Sequence, residues 1–434
     1  MEYQASSARE TEIGLEVFYT ETTGTGGRLR TSPEDFLVEE ISKYPDQSED
    51  GIYTIGTITS TNWEMNRLVR QLSRSLGISR RRIGFAGTKD KRAVTKQLIS
   101  FEAPIKDVES LKIHQVTISD VYRAKKHINI GDLVGNSFTI WIRGCDLEGS
   151  DLEDNAEATA RILNELGGFP NFFGVQRFGA LRPVTHIVGK FIVNGEFEDA
   201  VMTYIASPAP DEPQEVREAR EDLEKSRDFK SALGTYPMRL SFERTVIAHL
   251  ARNDGDYTGA IESLPQNLQM MFVHAYQSYL FNRILSARIK RGLSLNGPLI
   301  GDIVLPADRN GLPDHNINIK VTRENLDLVE RQMTENKAFI SGVLFGSESE
   351  FAEGEAGEIE REIVGAEDVD RENFIVPKIP QCSSKGSRRE ILGRFRNLSI
   401  RAEGDSLLMS FSLDKGCYAT SLLREFMKVG VMDY

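Results

Sequence analysis

The sequence is poor in the features that build secreted, membrane-embedded or metal-organised proteins. It has three cysteines in 434 residues, Cys145, Cys382 and Cys417, and they lie far apart. An odd, sparse count excludes a disulfide framework and suits a reducing compartment. No Cys/His group has zinc-ligand spacing, so no metal is expected. No stretch approaches the roughly 18 uninterrupted apolar residues of a membrane span. The opening MEYQASSARETEIG carries acids and lacks the apolar centre of a secretory signal. These absences predict a soluble, cytoplasmic chain with no membrane partner. Internal repeats are missing too, and so is an excess of positive charge. The 53 Lys and Arg against 65 Asp and Glu give a formal net charge of −12, which at first argues against a nucleic-acid partner.

What is there changes that reading. Polyanion binding depends on the local field rather than on the sum of charges, and the charge here is unevenly placed. Eight basic residues and one acid, Asp90, fall between Arg74 and Lys96. A second run, Lys385 to Arg401, has six basic residues against Glu390. Against these, Glu348 to Glu372 holds eleven acids. Isolated charge runs are ordinarily solvated faces. Two basic clusters in an acidic chain point further, to surfaces for a polyanion, with the acidic block steering it away from the wrong side.

With hydrophobic residues at 40% and charged residues at 27%, the length implies two or three packed units. Residues 28–41 read as two strands about a Ser-Pro turn, and Ile52 to Thr59 as another strand. Asn62 is placed to cap a helix with an apolar stripe of Leu68, Val69, Leu72 and Leu76, ended by Gly77. Phe138, Ile140 and Ile142 alternate as a half-buried strand. A helix from about Leu152 to Leu166 stops at Gly167-Gly168, and Pro170 introduces a displayed loop, Asn171 to Gly179. The composition shifts after residue 195. A long helix is predicted over 262–290, a strand over Leu407 to Leu413 and a helix over Ala419 to Lys428. Strands and helices at both ends with a different middle suggest one α+β core interrupted by an insertion.

The segment richest in chemistry is Gly84 to Phe101, GFAGTKDKRAVTKQLISF. Its Lys-Asp-Lys-Arg run sets one carboxylate among three cations, which favour the ionised form. A carboxylate repels phosphate, so it is an odd choice for merely binding a polyanion. It suits a nucleophile or base acting on the sugar or base of a nucleotide. The plain alternative is that Asp90 caps a helix starting near Lys91.

GTKDKRAVTKQLIS resembles the signature of the TruD family of pseudouridine synthases, in which the Asp of the Lys-Asp pair is catalytic; that Asp falls on Asp90. Asn171-Phe172-Phe173-Gly174-Val175-Gln176-Arg177-Phe178-Gly179 is similar to the family's second motif. RLRTSPEDFLVEEI is similar to its opening segment, although the family often has Lys where this chain has Arg30. His127 to Arg143, Gln277 to Asn282, and Lys415 to Thr420 through Arg424-Glu425 also fit, so that six stretches run in family order from residue 28 to residue 428.

The resemblance implies an isomerase that breaks the C1′–N1 bond of a uridine, turns the uracil and rejoins it through C5. No atom is gained or lost, so no cofactor is expected. Asp90 can attack C1′, add to the base, or remove a sugar proton, and the residues do not choose among these routes. The implied substrate is tRNA at uridine 13, with no obligatory protein partner. A stacked uridine must be flipped out to be reached; Phe173 is the ring expected to stack on the uracil, and Asn171 to orient the Asp90 loop or the base edge. Arg30, Lys89 and Arg424 are the candidates for the cation that orients Asp90. Arg424 is favoured, the alternative being that it pairs with the neighbours of Glu425 on a surface helix. Phosphate contacts are expected from Arg80, Arg81, Arg82, Lys91, Arg92, Lys96, Lys125, Lys126, Arg177, Arg388 and Arg389, making binding weaken with salt. The fold implied is an α+β pseudouridine-synthase catalytic domain with a mixed, mostly antiparallel sheet. It comprises residues 1–194 and 379–434, interrupted by an inserted α/β domain at roughly 195–378.

Overall fold

The computed structural model describes residues 4–89 and 91–434. The fold is α+β, and the chain forms two compact units. One comprises residues 20–169, 393–429 and 433–434; the other comprises 4–19, 170–392 and 430–432. The exchange points between these units fall at 169/170 and 392/393. The reason is packing: the helix Thr185–Val193 lies on the long helix Gln266–Lys290, and the strand Ser387–Glu390 completes the second unit's sheet. The fit is close, since a Cβ on Gly189 would stand 2.0 Å from the Phe272 carbonyl oxygen.

The first unit is built on a nine-stranded sheet. Its order is Phe395–Glu403, Ser406–Asp414, Leu133–Cys145, Phe36–Ser42, Val94–Phe101, Tyr53–Thr61 and Val116–Ala124, with Gly26–Arg28 on Leu133–Cys145 and Ile83–Phe85 on Val94–Phe101. The Phe36–Ser42 and Val94–Phe101 pair is parallel and the other pairings are antiparallel. The helix Met65–Leu76 lays Met65, Leu68, Val69 and Leu72 on one face of this sheet against Ile58, Ile83, Ile99 and Phe101. Its cap is Glu64, which accepts from the Asn66 and Arg67 amides at 2.9 Å each, instead of Asn62. Asn62 has a φ of 60°, so it turns the chain two residues earlier. Gly77 ends the helix in the left-handed conformation, as expected.

The second unit surrounds the helix Gln266–Lys290, whose Phe272, Val273, Tyr276, Leu280, Phe281, Ile284, Leu285 and Ile289 are all buried. A helix buried on every side carries apolar residues all round instead of in a stripe. Helices between Thr185 and Glu262 pack about it, as does a four-stranded antiparallel sheet ordered Ile319–Lys320, Ile303–Pro306, Ala338–Leu344 and Ser387–Glu390. No helix among the described residues is long and apolar enough to cross a membrane.

Candidate active site

In the sheet unit, the parallel pairing sets Leu37 opposite Val94 and Glu39 opposite Lys96. The loop bearing the Lys-Asp-Lys-Arg run therefore enters its strand beside the acids of Phe36–Ser42. Lys89 Nζ donates to Glu40 Oε2 at 2.6 Å, with side chains 6% and 1% exposed, and Ser42 Oγ bonds the same carboxylate. Lys89 is thus paired with Glu40 and anchors the loop to its neighbouring strand. Asp90 lies outside the described residues. Residues 91–93 bend directly into the strand Val94–Phe101, so no helix starts at Lys91.

Arg30 takes a left-handed backbone, φ 56°, and its guanidinium stands 4.1 Å from the Phe36 ring centroid. Arg424 lies in the helix Ala419–Met427, every residue of which is buried. That excludes the surface-helix alternative. Its Nη1 is 3.6 Å from Glu425 Oε1, while Glu425 Oε2 accepts from the Thr20 amide and hydroxyl at 2.9 and 3.0 Å. One turn on, Lys428 Nζ donates to the carbonyls of Thr20 and Thr22. Burial pushes its ammonium down to about 8, opposed by Glu425 and reinforced by Arg424.

The helical unit holds the second motif. The segment Asn171 to Phe178 is largely buried instead of displayed: Asn171 and Phe178 are 0%, Phe172 1% and Phe173 4% exposed. Asn282 of the long helix clamps Phe173 by both backbone groups, its Oδ1 accepting from the Phe173 amide at 2.9 Å and its Nδ2 donating to the carbonyl at 3.0 Å. The Phe173 ring meets Phe281 edge-on at 5.5 Å. The Arg389 guanidinium stands 4.4 Å from the ring centroid and that of Arg177 5.2 Å. Asn171 is used up within this unit. Its Nδ2 donates to the Glu390 backbone and carboxylate at 3.2 and 3.0 Å, and its Oδ1 accepts from Arg389 Nη2 at 2.8 Å. Glu390 also binds His315 Nε2 at 2.9 Å. Burial pushes the Glu390 carboxyl upward, but His315 and Arg389 outweigh it and hold the group below its usual value.

The expected phosphate contacts divide. Arg80, Arg81, Lys91, Arg92, Lys125 and Lys126 are exposed. Arg82 pairs with Glu102 at 2.6 Å, and Lys96 with Glu39 at 2.9 Å, a contact that raises the Lys96 ammonium. Arg388 is corrected: it is 2% exposed, and its Nη2 bonds Glu360 Oε1 at 2.6 Å inside the second unit. A guanidinium sealed against a carboxylate presents no charge to a polyanion. Arg389, 9% exposed, is likewise a ring-stacking group and not a surface one. Glu40, Asn282, His315 and Glu390 hold the expected site residues in place, and reasoning from sequence assigned none of them a role. For Asn282 a physical signal existed: an amide within a long apolar helix must find a partner.

Among the described residues, no three His, Cys, Asp or Glu side chains are grouped to hold a metal ion. A family model described as tRNA pseudouridine synthase D (TruD) matches residues 12–426. A probable tRNA pseudouridine synthase D of Methanococcoides burtonii is 45% identical over 432 residues, covering 97% of each chain. One from Halobacterium salinarum is 38% identical over 436 residues, covering 96% of this chain and 97% of its own. The crystal structure of a putative tRNA pseudouridine synthase D (TruD) from Methanosarcina mazei superposes with a TM-score of 0.87 at 42% identity, over 99% of this chain and 100% of the other.

Proposed function

The chain belongs to the tRNA pseudouridine synthase D (TruD) family, and from that premise we propose that it converts a uridine of tRNA, at position 13, to pseudouridine with Asp90 as its catalytic carboxylate. The observation that carries the reading is the family match over residues 12–426, within which the run Gly87-Thr88-Lys89-Asp90-Lys91-Arg92 is intact. Glycosidic cleavage passes through a cationic sugar, which an ionised carboxylate stabilises. Asp90 acts either by attack on the nucleoside or by removing a sugar proton. The isomerisation needs no cofactor, metal or partner protein, and it is a cytoplasmic reaction.

With Lys89 held by Glu40, Arg424 is the cation proposed to orient Asp90. Its guanidinium is 3% exposed and stands 3.6 Å from the Glu425 carboxylate. Phe173 is the ring proposed to stack on the uracil. At 4% exposure it has no open face, so the base has to displace a neighbour. Arg177, half-buried, yields more readily than Arg389, which Asn171 holds. The domain division, a catalytic domain interrupted by a family-specific insertion, belongs to the same proposal.

The test is to incubate the protein and its Asp90→Ala variant with unmodified tRNA transcript and map pseudouridine by chemical labelling. One uridine converted by the wild type, and none by a variant that still binds tRNA, supports the reading, and the mapped position identifies the target. Wild-type protein that binds tRNA and converts no uridine in it or in other RNAs overturns it in favour of a non-catalytic RNA-binding protein.

A further inference from the structure

In the sheet unit the exposed Arg28, Arg82, Arg396 and Arg401 each pair with a carboxylate. The helix Met65–Leu76 and the turn after it differ. The helix contains no acid between its ends, and its exposed face carries Arg67, Arg70 and Arg74. Arg80 and Arg81 follow in an exposed 3₁₀ turn. Among the described residues none of these five guanidinium groups has an ion pair, although the chain holds 65 acids. Glu64, at the start of the helix, is committed by both carboxylate oxygens to the helix amides. Arg67 lies 5.2 Å from the Trp63 ring centroid, which stiffens its stem.

The geometry is that of a charged ruler. Steps of three and four residues advance about 4.5 and 6 Å along a helix axis and keep the three side chains within about 60° of arc. The opposite face of the same helix is fixed to the sheet by Met65, Leu68, Val69 and Leu72, so the stripe cannot roll away from solvent. From Arg81 the chain passes through the short strand Ile83–Phe85 into the loop that carries Lys91 and Arg92, both exposed. Unneutralised, preordered arginines on a rigid support cost little to order and hold a strong local positive potential despite a net charge of −12.

We propose that the exposed face of the helix Met65–Leu76, continued by Arg80 and Arg81, docks the phosphate backbone of a folded RNA substrate. The proposal rests on the pseudouridine-synthase reading for the identity of the RNA, but its own content is the surface. Recognition there is by phosphate charge, so it positions the RNA without reading sequence.

The test is binding of a labelled, unmodified tRNA transcript as a function of salt, for the wild type and the triple variant Arg67→Gln, Arg70→Gln, Arg74→Gln. Glutamine keeps helix propensity, and thermal melting checks that the fold survives. Three lost contacts should flatten the slope of log affinity against log salt by about 2 to 3. The triple Lys variant at the same positions should recover most of the slope, which a merely structural role would not allow. A control triple, Arg252→Gln, Arg309→Gln, Arg323→Gln, exposed on the other unit, should bind as the wild type does. A helix variant with wild-type affinity and slope overturns the proposal, as does a control that loses as much, because bulk charge would then explain the effect. A wild type whose binding depends on the stripe but which isomerises no uridine sinks the enzymatic reading and leaves this surface standing.

Discussion

A single carboxylate holds the loop that leads to Asp90 to its neighbouring strand. Glu40 and Lys89 are 49 residues apart and almost wholly buried together. Removing one member of a buried pair strands the other charge, at a cost of about 3 to 5 kcal/mol. Glu40→Gln should therefore lower the unfolding free energy of the protein by roughly 3 kcal/mol in urea titrations and lower turnover as well, since Lys89 adjoins Asp90. The double variant Glu40→Leu, Lys89→Met should be more stable than Glu40→Gln. A Glu40→Gln protein with the wild-type urea midpoint would show that the pair is dispensable. The Phe173 backbone is tied by Asn282, and its ring lies near two guanidinium groups.

At the scale of elements, the strand Ser387–Glu390 shows how a basic run can be turned inward. Its Arg388 is bonded not only to Glu360 but to Ser341, whose hydroxyl and carbonyl accept at 2.8 and 2.9 Å. Glu360 in turn accepts from the amides of Val343 and Ala352 at 3.1 and 2.7 Å. One ion pair therefore joins the helix Gly354–Gly365, the strand Ala338–Leu344 and the edge strand beside it. Glu360→Gln should destabilise the protein by about 3 kcal/mol while leaving the salt slope of tRNA binding unchanged. A slope that fell with this variant would return Arg388 to the RNA-binding surface. The long helix Gln266–Lys290 is a comparable case. Its buried Gln277 donates to the Phe345 carbonyl at 2.6 Å and to Ser384 at 2.9 Å, so the motif Gln277 to Asn282 is a set of internal ties.

Across the whole molecule, His186 couples stability to pH. His186 stacks on Tyr279 at 4.8 Å and meets Phe178 edge-on at 5.4 Å. Burial pushes its imidazole down to about 4, against an opposing pull from Glu367. The folded state therefore keeps it neutral where the unfolded chain, titrating near 6.5, takes up a proton. The stabilisation is complete above pH 6.5 and is lost as pH falls towards 4, by roughly 3 kcal/mol. His186→Phe should remove that part of the acid sensitivity, seen by comparing urea midpoints at neutral pH and near pH 4.5. An unchanged pH dependence would sink the assignment.

Much of this architecture was legible in the residues. The Gly77 stop, the alternation of Leu407 to Leu413, the long apolar helix and the α+β class all follow from periodicity and turn chemistry, which act over a few neighbouring residues. Family membership was legible too, because its motifs are local strings. The sequence alone therefore determined the family, the mixed fold and the carboxylate set among cations at Asp90. Only the tertiary structure decided which cations remain available. Lys89, Arg388 and Arg389 look equivalent to Arg70 or Arg80 in one dimension, yet their partners lie 49, 28 and 218 residues away. Whether a charge faces solvent or a buried carboxylate is set by long-range packing and desolvation, and neither is written in the residues on either side of it.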